Sequence, residues 1–309
     1  MAAYIYLKSI AKSYNEKSVI ADLSLGLEKT HTLAIVGKNN SGKSMLLKIL
    51  SGNMKIDYGN IFIDGQDFLI NNKGIKRKIA YIPEHVDFDT SLSVYQNLYL
   101  YMRLYTDFNS KDIDGIIAHW SNIFNFDNLM DKVVTSLNSS MLRIIHLSRI
   151  FMSKPDIVVL DQPTKDLDPD NKIIFWKNLK TVLRKSTVIY SSYDFEEIQN
   201  YSDRIAFLDN GKIRLNGSIS DIMSEIKGYG YYRIVFADSV NLSFKDMITS
   251  RADCYNLNIR DREVDFYSPN KKSAIALIKE SFKYDVVDFI ERPFSFKDIF
   301  LTQSRKQNG

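Results

Sequence analysis

The run Gly37-Lys38-Asn39-Asn40-Ser41-Gly42-Lys43-Ser44 sets two glycines, a lysine and a hydroxyl at the spacing G-x-x-x-x-G-K-[ST]. Glycines at those positions let backbone N–H groups close around phosphate oxygens. A helix opening at the end of the run adds its partial positive charge. Lys43 is then placed to reach the β- and γ-phosphates of a nucleotide, and Ser44 to hold Mg²⁺. A second chemical signal is Ile157-Val158-Val159-Leu160-Asp161, a continuous apolar run ending in a carboxylate. On a buried parallel strand, Asp161 stands at the C-terminal end, where it can hold Mg²⁺ through water beside the phosphate loop. Many buried strands end in Asp, so this second signal gains its meaning from the first.

These side chains need strands and helices to hold them. Leu33–Val36 reads as a strand leading into the loop and Met45–Leu50 as a helix leaving it, which is the setting the motif requires. Further β-rich runs lie at Tyr4–Leu7, Val19–Leu27, Ile61–Ile63, Ile79–Ile82, Val188–Tyr190 and Ile205–Leu208. Leu98, Met102 and Tyr105 recur at helical spacing, and Met141–Met152 is also helical, so residues of about 88–156 read as a helical insertion in an α/β domain. Asp209-Asn210-Gly211-Lys212 is a hairpin turn. From about residue 226 the character changes to short strands at Tyr231–Phe236, Asn256–Ile259, Val264–Tyr267 and Val286–Ile290. A helix at Lys272–Phe282 is predicted to bury Ile275, Ile278 and Phe282, and a last helix covers Ser295–Leu301. The reading is an α/β domain over 1–225 and a small α+β domain over 226–309.

Composition fits this. The 309 residues are 45% hydrophobic and 25% charged, as in soluble globular proteins, which excludes a disordered or collagen-like chain. The net charge of +4 is too small to imply nucleic-acid binding, and no nucleic-acid partner is expected. No apolar run approaches the roughly 18 residues needed to cross a bilayer, so no direct membrane insertion is expected. The single cysteine, Cys254, excludes an internal disulfide and reads as a small core residue. The four histidines show no metal spacing.

Several segments then line up with one family. Leu160-Asp161-Gln162-Pro163-Thr164-Lys165-Asp166-Leu167-Asp168-Pro169 resembles the "LDEPTxGLDP" block of ABC-transporter ATPases. Leu137-Asn138-Ser139-Ser140-Met141, with Leu147-Ser148-Arg149, resembles their "LSGGQ…LAR" signature helix. Tyr81-Ile82-Pro83-Glu84 resembles the Q-loop, Ser93–Leu98 the "TVxENL" helix, and Ser191–Glu197 the "SSHDLEE" switch. Tyr14 sits where the family places an adenine-stacking aromatic. Phe294–Leu301 resembles the "PSLEDVFL" ending of an exporter branch with separate membrane subunits, whose members export drugs, polysaccharides, peptides or lantibiotics. The resemblance implies a P-loop NTPase of ABC type, with a mixed-sheet core and a helical subdomain. It implies ATP and Mg²⁺ as ligands, with Glu84 joining Ser44 and Asp161 around the metal. It also implies a head-to-tail dimer, in which Asn138, Ser139, Ser140 and Asp168 of one subunit close on the nucleotide of the other. Membrane-spanning partners would dock near Glu84 and residues 86–105, placing the chain on the cytoplasmic face of the cell membrane as a peripheral subunit.

The departures from the pattern carry information. Gln162 stands where the family has the catalytic Glu; an amide cannot accept the proton, and a general base is worth roughly 10²–10⁴-fold. Tyr193 replaces the switch histidine, and either donates a hydrogen bond toward the γ-phosphate or packs as an aromatic at a strand end. Ser139 and Ser140 add Cβ atoms where glycines let the signature approach phosphate. The expectation is a subunit with slow or degenerate hydrolysis that pairs with a different ATP-binding chain. The alternative is a non-hydrolytic clamp. ABC proteins of translation and DNA repair fit less well, because duplicated ATP-binding domains and long coiled-coil insertions are missing.

Overall fold

A computed structural model describes residues 3–70, 72–225 and 229–299. The chain divides into two units, Met1–Gly217 and Ser218–Gly309.

The first unit opens with β1 (Ile5–Tyr14) and β2 (Lys17–Leu27), an antiparallel pair. Then come β3 (Thr32–Val36), α1 (Lys43–Leu50), β4 (Tyr58–Ile63), β5 (Gln66–Asp67), α2 (Asn72–Lys76) and β6 (Ile79–Ile82). A helical stretch follows: α3 (Val94–Tyr105), α4 (Ser110–Ile123) and α5 (Ser139–Ser153). The chain returns through β7 (Ile157–Asp161), α6 (Pro169–Val182), β8 (Thr187–Ser191), α7 (Phe195–Tyr201), β9 (Arg204–Asp209) and β10 (Lys212–Ser218).

The strands form two sheets. One is ordered β2-β1-β4-β5 and its pairs are antiparallel. The other is ordered β10-β9-β3-β8-β7-β6, with β9, β3, β8, β7 and β6 parallel. Helix α1 is buried on nearly all sides, and Leu46, Leu47, Ile49 and Leu50 share one core with Leu7, Ile10 and Ile61 of the first sheet and Leu33, Val159 and Ile189 of the second. The phosphate loop and its helix are thereby locked between two sheets. β7 and β8 are buried at every residue, as continuous apolar runs in a parallel sheet must be.

The helical stretch holds itself together. Ser93 and Gln96 form a reciprocal capping box at the start of α3, and Asn109 and Asn138 cap α4 and α5. Trp120 of α4 stacks on Phe124 and on Phe151 of α5. Between α3 and α4 the chain breaks at residues 106–109, where Asn109 caps the new start.

The second unit contains α8 (Ile219–Glu225), β11 (Gly230–Phe236), α9 (Leu242–Thr249), β12 (Tyr255–Ile259), β13 (Glu263–Ser268), α10 (Lys271–Ser281) and β14 (Val286–Pro293). Its antiparallel sheet is ordered β12-β13-β11-β14. The face of α10 differs from expectation. Ala274, Leu277, Ile278 and Ser281 are buried, whereas Ile275 is half-buried and Phe282 is exposed. Only Ile278 belongs to both sets, because the seam runs through Ala274 and Ser281, which hydropathy alone does not mark. Cys254 packs against this core. Of the last predicted helix, residues 296–299 are helical; Phe300 and Leu301 lie outside the described residues.

Candidate nucleotide site

β3 feeds directly into the phosphate loop. Gly42 caps α1 with φ of 104°, a left-handed value that favours glycine. A Cβ on Gly37 would meet the carbonyl oxygen of Leu208 and lie 2.6 Å from Ser41 Oγ, so the backbone can pass only as glycine. The β9–β10 turn braces the loop: Asn210 and Gly211 both have positive φ, and Gly211 N–H donates to the Ser41 carbonyl at 3.3 Å. Lys43 folds back over the loop, and its Nζ donates to the carbonyls of Gly37 (2.8 Å) and Lys38 (2.7 Å). Burial pulls its pKa down to about 8, against the opposing pull of Asp161 and Glu84. The ring of Tyr193 lies 4.6 Å from this ammonium. Tyr193 is 44% exposed.

Beneath the loop, Asp161 is buried and accepts a hydrogen bond from Ser191 Oγ at 2.6 Å. The same Oγ accepts from the Gln162 N–H at 3.0 Å. Gln162 has φ of 47°, a strained value for a non-glycine residue that turns the chain sharply at the strand end. One side chain ties this region together. Arg143, 1% exposed on α5, donates five hydrogen bonds to carbonyls: Pro163, Pro83, Glu84, Asp161 and Gln162, at 2.6–3.2 Å. Sequence reading missed Arg143. Its only signal was a charged residue on the buried side of a helix.

These elements enclose a pocket of about 1000 Å³. Tyr14, Asn39, Asn40, Gly42, Lys43, Ser44, Glu84, Gln162 and Tyr193 line it, joined by Lys165 from the segment after Gln162. Gly37, Lys38 and Ser41 belong to the loop without lining the pocket, and Asp161 lies buried at the end of β7. Glu84 forms an ion pair with Lys165 at 2.6 Å, which holds its carboxyl below the usual range. The signature residues lie apart from this pocket. Asn138 caps α5, Asp168 caps α6, and Ser140 Oγ donates to Asp168 Oδ2 at 3.2 Å. Ser139 opens α5 on an exposed turn.

The donor set suits a hard divalent cation. Ser44, Asp161 and Glu84 are all oxygen ligands, and among the described residues no group of three or more His, Cys, Asp or Glu could hold an ion unaided. An ion here must take ligands from phosphate and water as well, which is how Mg²⁺ usually binds.

The ABC transporter family model matches residues 20–165. That span carries the phosphate loop, the helical stretch and β7 in one fold. Residues 20–165 carry the ABC-type P-loop fold. The solved ATP-binding subunit of an ABC transporter superposes on 72% of this chain and 93% of its own, with a TM-score of 0.67 at 20% identity. A bacterial ABC transporter cassette solved as a dimer gives 0.64, covering 70% of this chain and 98% of its own, also at 20% identity. Over nearly the full length, the chain is 25% identical to a Nod factor export ATP-binding protein I of Rhizobium johnstonii (96% of this chain, 93% of that one). It is 25% identical to a linearmycin resistance ATP-binding protein of Bacillus subtilis (83% of this chain, 82% of that one). Both reach beyond the ABC domain into the C-terminal unit. The mixed-sheet core and helical subdomain are thus those of the ABC type, and the mixed sheet consists of two sheets around α1. Among the described residues, no helix is long and apolar enough to cross a membrane.

Proposed function

We propose that this chain is the ATP-binding subunit of a multi-subunit ABC exporter of the drug, peptide or lantibiotic kind. The observation that carries the reading is the convergence of the Gly37–Ser44 loop and Glu84 on one pocket of an ABC domain, with Asp161 buried behind it at the end of β7. The near full-length likeness to proteins named for export and for resistance supports the exporter branch. Tyr14, 60% exposed at the pocket, is free to stack on adenine. The loop amides and Lys43 bind the phosphates. Ser44, Asp161 and Glu84 would hold Mg²⁺, which neutralises phosphate charge when bound. Gln162 and Tyr193 face the γ-phosphate position, but neither can serve as a base at neutral pH; burial raises the Tyr193 pKa further. Hydrolysis is therefore slow.

The signature at Asn138–Ser140 is outside the chain's own pocket, so a second subunit must supply one. In a homodimer, both sites would combine Gln162, Tyr193 and the serine-bearing signature. We infer pairing with a different ATP-binding chain. Membrane-spanning subunits dock along residues 86–105, where Leu100, Leu104 and Tyr105 are exposed, and hold the chain at the cytoplasmic face. A non-hydrolytic clamp is the second reading, favoured by Gln162 together with the Tyr193 ring resting on Lys43.

Steady-state ATP hydrolysis of Gln162→Glu, beside the unmodified chain and Lys43→Ala, separates the two. A rise of about 10²-fold or more supports an energising ATPase held back at position 162. No rise with ATP still bound supports the clamp. ATP binding that Lys43→Ala leaves unchanged rejects the site itself.

A further inference from the structure

Glu84 is the one carboxylate among the residues that line the pocket, and it is already occupied. Lys165 Nζ lies 2.6 Å from its Oε1, across 81 positions of sequence. Both partners hang from backbone that one guanidinium fixes. Arg143 donates to the carbonyls of Pro83 and Glu84 on one side and to those of Asp161, Gln162 and Pro163 on the other. The Lys165 N–H donates back to the Gln162 carbonyl at 3.2 Å. The pair is therefore placed by the fold. It is also displaceable: the Lys165 side chain is 46% exposed and that of Glu84 24%, and exposed ion pairs are weak.

A divalent ion held by Glu84 would use the same carboxylate that Lys165 now pairs with. An ammonium hydrogen-bonded to the same carboxylate would then face a double positive charge at close range. The two cations therefore compete for it. We propose that Lys165 is a tethered competitor for Mg²⁺ at Glu84, a positioning residue that occupies the metal-binding carboxylate until nucleotide-bound Mg²⁺ displaces it. Lys165 thus keeps Glu84 oriented and charge-compensated while the pocket is empty, and raises the Mg²⁺ concentration at which nucleotide is captured. The long, half-exposed side chain gives it room to leave. This inference rests on the ATP-binding reading.

The test is a Mg²⁺ titration of the full chain with a fluorescent ATP analogue, alongside its affinity in EDTA. Lys165→Met is expected to lower the half-maximal Mg²⁺ concentration about 3- to 5-fold, the scale of one exposed ion pair. Affinity in EDTA should stay unchanged. Lys165→Arg, which keeps the charge, should titrate like the unmodified chain. In a Glu84→Gln background, Lys165→Met should have no effect, because the competition is gone. An unchanged Mg²⁺ midpoint in Lys165→Met overturns the proposal. So does a loss of affinity that is equal with and without Mg²⁺, which would make Lys165 a phosphate ligand. If the unmodified chain binds the analogue no better than Lys43→Ala does, the ATP-binding reading fails and the proposal falls with it.

Discussion

The floor of the pocket and the signature surface are built in opposite ways. At the floor, Lys43, Asp161 and Arg143 are buried, and each finds its hydrogen-bond partners within the chain. At the signature, Asn138, Ser139 and Asp168 are exposed at helix starts and Ser140 is half-buried; Asn138 accepts from the Met141 N–H, Asp168 accepts from Asn171, and Ser140 Oγ donates to Asp168. The difference separates what one chain can do from what needs two. A buried, internally satisfied floor can receive a nucleotide without help. An exposed row of helix N-termini offers donors that nothing in the same pocket uses.

The comparison can be broken at several points. Arg143→Met should have the largest effect on stability. It strands five carbonyls around a buried site, and bonds from charged donors are worth roughly 1.5–3 kcal/mol each. Because effects in one network do not add, a loss of about 4–5 kcal/mol in denaturant unfolding is expected. A loss below about 1 kcal/mol would mean that the floor does not depend on this hub. Next is pH. Lys43 in the free protein titrates near 8, and phosphate favours its charged form. Above pH 8 the free chain sheds a proton that binding must restore, so nucleotide affinity should fall, by up to about tenfold per pH unit. Titrations between pH 7 and 9.5 would read this, and a flat profile would remove Lys43 from phosphate binding. The smallest effect is expected at the signature. Asn138→Ala removes the cap on the Met141 N–H and should cost about 1 kcal/mol, or a few degrees of Tm. Nucleotide affinity of the isolated chain should not change; a change would mean that the two regions are coupled within one chain.

The strand, loop and helix of the phosphate site were legible because each is a local pattern. β6 begins and ends where its apolar run does, and β3 starts one residue before its run, at Thr32. The face of α10 was misjudged because small residues, Ala274 and Ser281, form its seam. Lys165 was read only as part of a motif, with no role, because a lysine in a loop carries no pattern of its own.

Sequence alone determined the chemistry on offer: a loop that must wrap phosphate, a carboxylate at a strand end, and an amide where a base would be needed. Those depend on residue type and on neighbours a few positions away. Tertiary structure alone decided which groups are already engaged. Lys165 reaches Glu84, Tyr193 covers Lys43, and Arg143 gathers carbonyls from two distant segments. Such pairings arise when parallel strands, joined through long crossovers, bring their C-terminal ends to one edge of the sheet. No spacing along the chain encodes them, because the core around α1 fixes where those ends meet.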